Sequence, residues 1–299
     1  MSKLVAPAPL APYGELPVPR LTHDLMGLVK TGAVYSLGVV YQMGMPVPGI
    51  MPPYTLSPGL RHGDLDDLRP ASAASETISM SAHTGTHIDA LCHIGERQAA
   101  RDNGSSSDEG PVMLFNGKGR TVPAASTANR LGQTHLSIAD MPPIVTRGVL
   151  LDVAGYKGVE ALPDSYWITA EDVEGTLARQ STQVTPGTAV LLRTGFYHHM
   201  LNGNKAFTDA IAGLGLDGAE WLVAQGMILA GSDTMPVEVL PPMDHRVHRF
   251  HLVHNGITHL ENLCLEELAA KQVYEFLLIV APLRILGATG SWVNPLAIA

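Results

Sequence analysis

The chain has 299 residues, 45% of them apolar and only 16% charged, which supplies a substantial core and excludes a largely disordered protein. Its 19 basic against 28 acidic residues give a formal net charge of −9 at pH 7, so it lacks the basic footprint of a nucleic-acid binder and suits an anionic membrane surface poorly. No apolar run approaches the roughly 18 residues of a membrane span.

The first twenty residues carry Pro7, Pro9, Pro12, Pro17 and Pro19. That predicts an extended arm rather than a packed element, without the compact apolar stretch of a signal peptide. We assign residues 1–32 to this arm and 33–299 to a single domain, because no composition break and no solenoid-period repeat divides the remainder. Runs of strand type follow at Ala33–Tyr41, Ser75–Ala82, Gly148–Val153, Thr188–Thr194, Met227–Ala230 and Tyr274–Ala281. Met45–Pro70, rich in proline and glycine, and the polar Arg101–Gly110 read as long loops. Thr169, with Asp172 three residues on, predicts a helix start. A second helix opens at Asp217 and stops at Gly226, and a third runs from Asp244 to about Asn255, ended by Gly256. Strands alternating with helices in the second half predict an α/β layer architecture. With only Cys92 and Cys264 there is no disulfide framework, which points to a reduced, cytoplasmic setting.

Ser81–Ile94, SAHTGTHIDALCHI, presents His83, His87, Asp89 and His93 within eleven residues. Imidazoles with a carboxylate suit Zn²⁺, Mn²⁺ or Fe²⁺ and are poor ligands for Ca²⁺. The bland alternative is a histidine-rich loop making ordinary hydrogen bonds. With histidine at about 4% of positions, however, three at this fixed spacing arise by chance roughly 0.02 times per chain. The segment reads as a metal site, and Gly85 supplies backbone freedom for converging ligands. A second cluster, DHRVHRFHLVHNGITHLE over Asp244–Glu261, holds His245, His248, His251, His254, His259 and Glu261. Four of these histidines recur every third residue, so on a helix they spiral around its surface. Spacing alone does not select which one points inward.

HTGTHIDALCH, from His83 to His93, resembles the H-x-G-T-H-x-D-x-x-x-H signature of the metal-dependent cyclase family, which includes bacterial kynurenine formamidase, isatin hydrolase and related amide and lactone hydrolases. GVLLDV, LLRTGF, LAGSDTMPVE, HRFHLVHNGITHLENL and GATGSWVNPLAIA resemble its later blocks, so the likeness spans roughly residues 33–299. The resemblance implies a swivelling β/β/α fold and one or two divalent ions per chain, Zn or Mn. It implies that His83, His87 and Asp89 bind the first ion and that His93 is the catalytic acid/base. In two-metal members the aspartate bridges, and the H…G-I…E-N-L pattern aligns His248 and Glu261 with the remaining ligands. Two departures stand out. Ala90-Leu91 replaces a proline common in the family, and MPVPG (Met45–Gly49) lacks the tryptophan often found in that loop, which usually lines the substrate pocket.

The function expected is therefore metal-dependent hydrolysis of an amide, a cyclic amide of isatin type or a lactone, acting on a small molecule. A metal-dependent lyase or dehydratase on the same fold is the alternative, and a non-catalytic binder is disfavoured by the intact His93. The dinucleotide-like run Gly213–Gly218, with Asp233 downstream, lacks a strand leading into its first glycine and reads as a turn and helix start. Cys92 and Cys264 read as core residues rather than nucleophiles, and no G-x-S-x-G elbow is present. The arm is expected to pack across a neighbouring subunit of a homo-oligomer, a dimer or tetramer.

Overall fold

The computed structural model describes residues 13–65, 68–99 and 110–299. Its centre is a nine-stranded sheet built from β1 (Val34–Ser36), β2 (His87–Asp89), β3 (Ile144–Asp152), β4 (Ala189–Arg193), β5 (Leu229–Ser232), β6 (Thr258–Glu261), β7 (Glu275–Val280), β8 (Gly290–Trp292) and β9 (Leu296–Ile298). In space they run β1-β9-β7-β3-β4-β5-β6-β2-β8. The inner four, β3 to β6, are parallel, and every flanking pair is antiparallel.

Three of the predicted runs, Gly148–Val153, Thr188–Thr194 and Met227–Ala230, fall on the inner strands β3, β4 and β5, which are apolar because both sheet faces are covered. Val149 and Leu151 of β3 and Val190 and Leu192 of β4 enter one core, while Leu150, Ala189 and Leu191 enter the other. Two helices close the first face. Helix α1 (Ala170–Gln180) opens on the expected reciprocal cap between Thr169 and Asp172 and buries Val173 and Leu177. Helix α2 (Leu216–Ala224) buries Ala219 and Leu222, and the chain leaves it through Gly226 at φ +87°. Among the described residues, no helix is long and apolar enough to cross a membrane.

Several expectations are corrected. The third helix is one α-turn, α3 (Arg246–His248), that widens into a π-helix over Arg249–Asn255. The Met45–Pro70 stretch contains a strand, Thr55–Leu60, which pairs with Ser75–Ser79 as an exposed antiparallel ribbon. Its residues face solvent, so no apolar alternation marks it in the sequence. Ala33–Tyr41 shortens to β1, and β2, β6, β8 and β9 are too short to stand out as runs.

Residues 1–12 of the arm, and all of Arg101–Gly110 except Gly110, lie outside the described residues. The rest of the arm is not wholly loose. Tyr13 and Leu16 are buried in the second core, and the Tyr13 hydroxyl donates to the Leu136 carbonyl and accepts from the Leu91 amide at 2.8 Å. Glycine is required beside it: Gly14 has φ +59°, and a Cβ there would sit 2.2 Å from the Gly256 carbonyl oxygen.

Candidate metal centre

The first histidine motif occupies a turn and the short strand β2. Gly85 turns the chain with φ +61°, and a Cβ there would lie 2.5 Å from the Tyr41 ring. Its carbonyl faces His87 Nδ1 at 2.8 Å and accepts from Asn262 Nδ2 at 3.1 Å. On β2 the two-residue period puts His87 and Asp89 on one face and sends Ile88 into the second core. Antiparallel register then sets Glu261 of β6 directly opposite His87, and Gly290 of β8 opposite Asp89. Gly290 leaves room for His83, whose ring lies 2.6 Å from where a Cβ would be.

These side chains converge. His83 Nδ1 is 2.8 Å and His87 Nε2 3.5 Å from Asp89 Oδ1, while His248 Nε2 is 3.7 Å from Oδ2. Glu261 likewise faces both sets: Oε2 is 3.4 Å from His87 Nε2, and Oε1 is 3.4 Å from His248 Nε2 and 3.8 Å from His259 Nδ1. Two groups thus gather their donor atoms within 4.8 Å, His83–His87–Asp89 and Asp89–His248–His259–Glu261, with Asp89 common to both. All of these residues are buried.

The outer contacts orient the rings. His83 Nε2 meets Thr289 Oγ1 at 3.0 Å. His248 Nδ1 donates to Glu238 Oε1 at 2.6 Å, which directs Nε2 at Asp89 and Glu261. The two carboxylates are held ionised. Burial opposes charge on Asp89, but His93, His248 and His83 hold it well below the ordinary range, and His248 and His87 similarly bring Glu261 to about 2. Burial lowers His93 to about 4, which leaves a neutral imidazole at pH 7.

The residues fit a divalent ion on two grounds. Asp89 Oδ2 and His259 Nδ1 are buried without a hydrogen bond, and the 2.8 Å approach of His83 Nδ1 to Asp89 Oδ1 lacks hydrogen-bond geometry; leaving such groups unpaired costs about 1–3 kcal/mol each. Donors about 2.1 Å from a tetrahedral ion stand about 3.4 Å apart, close to the 3.4, 3.7 and 3.8 Å separations around His248, His259, Asp89 and Glu261.

The structure therefore brings His83, His87, Asp89, His248 and Glu261 into one cluster. It places His93 beside the cluster, its ring stacked on His83 at a centroid distance of 4.0 Å. Of the second histidine run, His248 and His251 turn inward, while His254 packs at the surface against Glu96. Sequence reasoning named His259 in the second cluster without assigning it to the site, and missed Glu238. His259 had a usable signal, since it precedes Glu261 by two on a strand and shares its face; Glu238 had none beyond being an acid. Gly213–Gly218 holds the expected helix start, but opens on a two-residue strand, Gly213–Leu214, where a turn was expected; its glycines serve packing, since a Cβ on Gly215 would overlap the Trp167 ring. Burial pushes the Cys92 thiol up to about 12, which suits an inert core position. At Ala90-Leu91, where the resemblance leads one to expect a proline, the Ala90 amide donates to the Thr289 carbonyl and the Leu91 amide to the Tyr13 hydroxyl, bonds that a proline at either position would forbid.

A sequence model of the Cyclase family matches residues 20–239. The chain belongs to the Cyclase family. It is an enzyme, a hydrolase. Within this family it is 26% identical over 211 residues to a kynurenine formamidase of Salinibacter ruber, covering 71% of this chain and 73% of that one. A crystal structure of a novel cyclase superposes with a TM-score of 0.79 at 29% identity, covering 93% of this chain and 92% of the other. Isatin hydrolase A from Ralstonia solanacearum shares the fold with a TM-score of 0.61 at 19% identity, over 89% and 91% of the two chains. The α/β fold of this cyclase therefore agrees with the architecture that its motifs imply.

Proposed function

We propose that this cyclase hydrolyses a small amide, cyclic amide or lactone at a centre holding one or two divalent ions, zinc or manganese. The observation that carries the reading is the shared Asp89 carboxylate, its two oxygens turned toward separate nitrogen sets in a buried cluster, with His93 beside it. Relatives support the substrate class: the Salinibacter ruber protein is a kynurenine formamidase, and isatin hydrolases share the fold.

In this reading His83, His87 and Asp89 would hold the first ion, and Asp89, His248 and Glu261 would hold the second. Ions there acidify water and polarise a carbonyl, the two changes an unreactive amide needs. His93 supplies the proton movement. It is neutral at pH 7, so it takes a proton from the attacking water and returns it to the leaving nitrogen or oxygen, a role contributing roughly 10²- to 10⁴-fold. Tyr41, against Gly85, belongs to a segment whose next residues line a cavity of 630 Å³ with Tyr197, Met200 and Leu201. The same reading includes a homo-oligomer, because Met43, Ile50, Leu56 and Ile78 expose apolar surface, and a cytoplasmic setting, because Cys92 and Cys264 are both free thiols; sedimentation of a monomer removes the first part.

The test is ultraviolet absorbance with isatin, N-formylkynurenine and a dienelactone, using native, chelated and metal-restored protein. Turnover that needs metal and falls about 10²- to 10⁴-fold in a fully metallated His93→Ala variant is expected. Wild-type turnover in that variant sinks the role of His93. Absence of ¹⁸O from water in the product of a metal-dependent reaction would replace hydrolysis with a lyase reaction.

A further inference from the structure

We infer that His259 is an additional protein ligand of the second ion and that His251 fixes the tautomer that lets it bind. This rests on the two-ion reading above and extends it to residues that reading does not use.

On β6 the two-residue period puts His259 on the same face as Glu261 and sends Leu260 into the second core. The His259 ring is fully buried, edge-on to His248 with centroids 4.3 Å apart. Its Nδ1 lies 3.8 Å from Glu261 Oε1, too far for a hydrogen bond, and has no other partner. A buried ring nitrogen aimed at two carboxylates and a second imidazole, yet bonded to none, has the surroundings of a metal ligand.

The far side of the ring is tied. His259 Nε2 is 2.8 Å from Nδ1 of His251, itself fully buried in the π-helix. One hydrogen is shared between these two nitrogens. Placed on His259 Nε2, it donates to His251 and leaves a lone pair on His259 Nδ1. Placed on His251, it would force hydrogen onto His259 Nδ1, where no acceptor is within reach. The first arrangement leaves His259 Nδ1 with a lone pair instead of an unpaired hydrogen, puts the remaining hydrogen on His251 Nε2 toward the Ala219 backbone, and is the ligating tautomer.

The consequence is an asymmetric centre. Asp89, His248, His259 and Glu261 supply the second ion with four protein donors, whereas His83, His87 and Asp89 supply the first with three. A closed set is the pattern of a structural ion, and a set of three leaves a position for substrate chemistry. The open position therefore falls to the first ion, on whose ligand His83 the ring of His93 stacks.

Two experiments test this. In wild-type protein with ¹⁵N-labelled histidine rings, loaded with ¹¹³Cd, His259 Nδ1 is expected to show cadmium coupling alongside His83, His87 and His248. In zinc competition against a chelator, His259→Leu is expected to keep the first ion and to weaken the second at least 100-fold, and His251→Phe to weaken it about 10- to 100-fold. An uncoupled His259 in metallated wild type overturns the inference, whatever the variants do and even if they fail to fold. Wild-type affinity for both ions in His259→Leu overturns it as well. Failure of the wider reading looks different, because then wild-type protein itself competes for no ion.

Discussion

Replacing Glu238 with glutamine asks whether the carboxylate behind His248 decides which imidazole nitrogen faces the centre. Glu238 Oε1 accepts from His248 Nδ1 at 2.6 Å and lies 3.1 Å from His245 Nδ1, while Oε2 accepts the Val247 amide at 2.8 Å. Burial opposes the charge, yet these donors hold the carboxyl well below the ordinary glutamate range. All of them are satisfied only by an acceptor at both oxygens, and glutamine has one. If its oxygen stays with Val247, its NH₂ faces His248 Nδ1 and selects the tautomer with hydrogen on Nε2, the nitrogen 3.4 Å from Glu261. If its oxygen stays with His248, two N–H groups meet at Val247. Loss of an outer partner of this kind weakens metal affinity about 10- to 100-fold, or about 1.4–2.8 kcal/mol at 1.4 kcal/mol per decade. Competition between protein and a zinc chelator at pH 7 measures it directly, with circular dichroism to establish that the variant is folded. A folded Glu238→Gln protein with wild-type zinc affinity would refute the reasoning.

Other expected outcomes follow from the fold. Asp172 is buried, which opposes its ionisation, but Lys157, the Thr169 amide and the Tyr166 hydroxyl lower its pKa on balance; Asp172→Asn should therefore lose about 1 kcal/mol of stability at pH 7. Because the folded value is depressed, that difference should be complete above the unfolded carboxyl pKa of about 3.9 and vanish as pH falls through the folded one; urea melts showing a gap that grows on acidification would contradict this. Gly85→Ala must adopt φ +61° and push aside the Tyr41 ring 2.5 Å away, so a loss of about 1–2 kcal/mol from the backbone alone, with weakened zinc binding, is expected by thermal melt and competition. Tyr13→Phe strips the Leu91 amide and the Leu136 carbonyl of their partner and should cost about 1–3 kcal/mol. An unchanged denaturation midpoint would mean that Tyr13 does not anchor the arm.

The sequence by itself determined what depends on neighbours along the chain. His83, His87, Asp89 and His93 lie within eleven residues, so their chemistry and spacing are visible without a fold, as is the Thr169–Asp172 cap. The inner strands β3, β4 and β5 were legible because burial on both faces demands unbroken apolar runs, whereas the four-residue, polar β6 was not. The tertiary structure alone decided which distant groups meet the motif. Antiparallel register sets Glu261 opposite His87, and α3 with the π-helix that continues it turns His248 and His251 inward while the same three-residue repeat leaves His254 at the surface. Glu238 becomes the anchor of His248 only through the packing of the Val237–Val247 segment over β6. These choices rest on strand pairing and close contact between segments far apart in the chain, and no local periodicity encodes them.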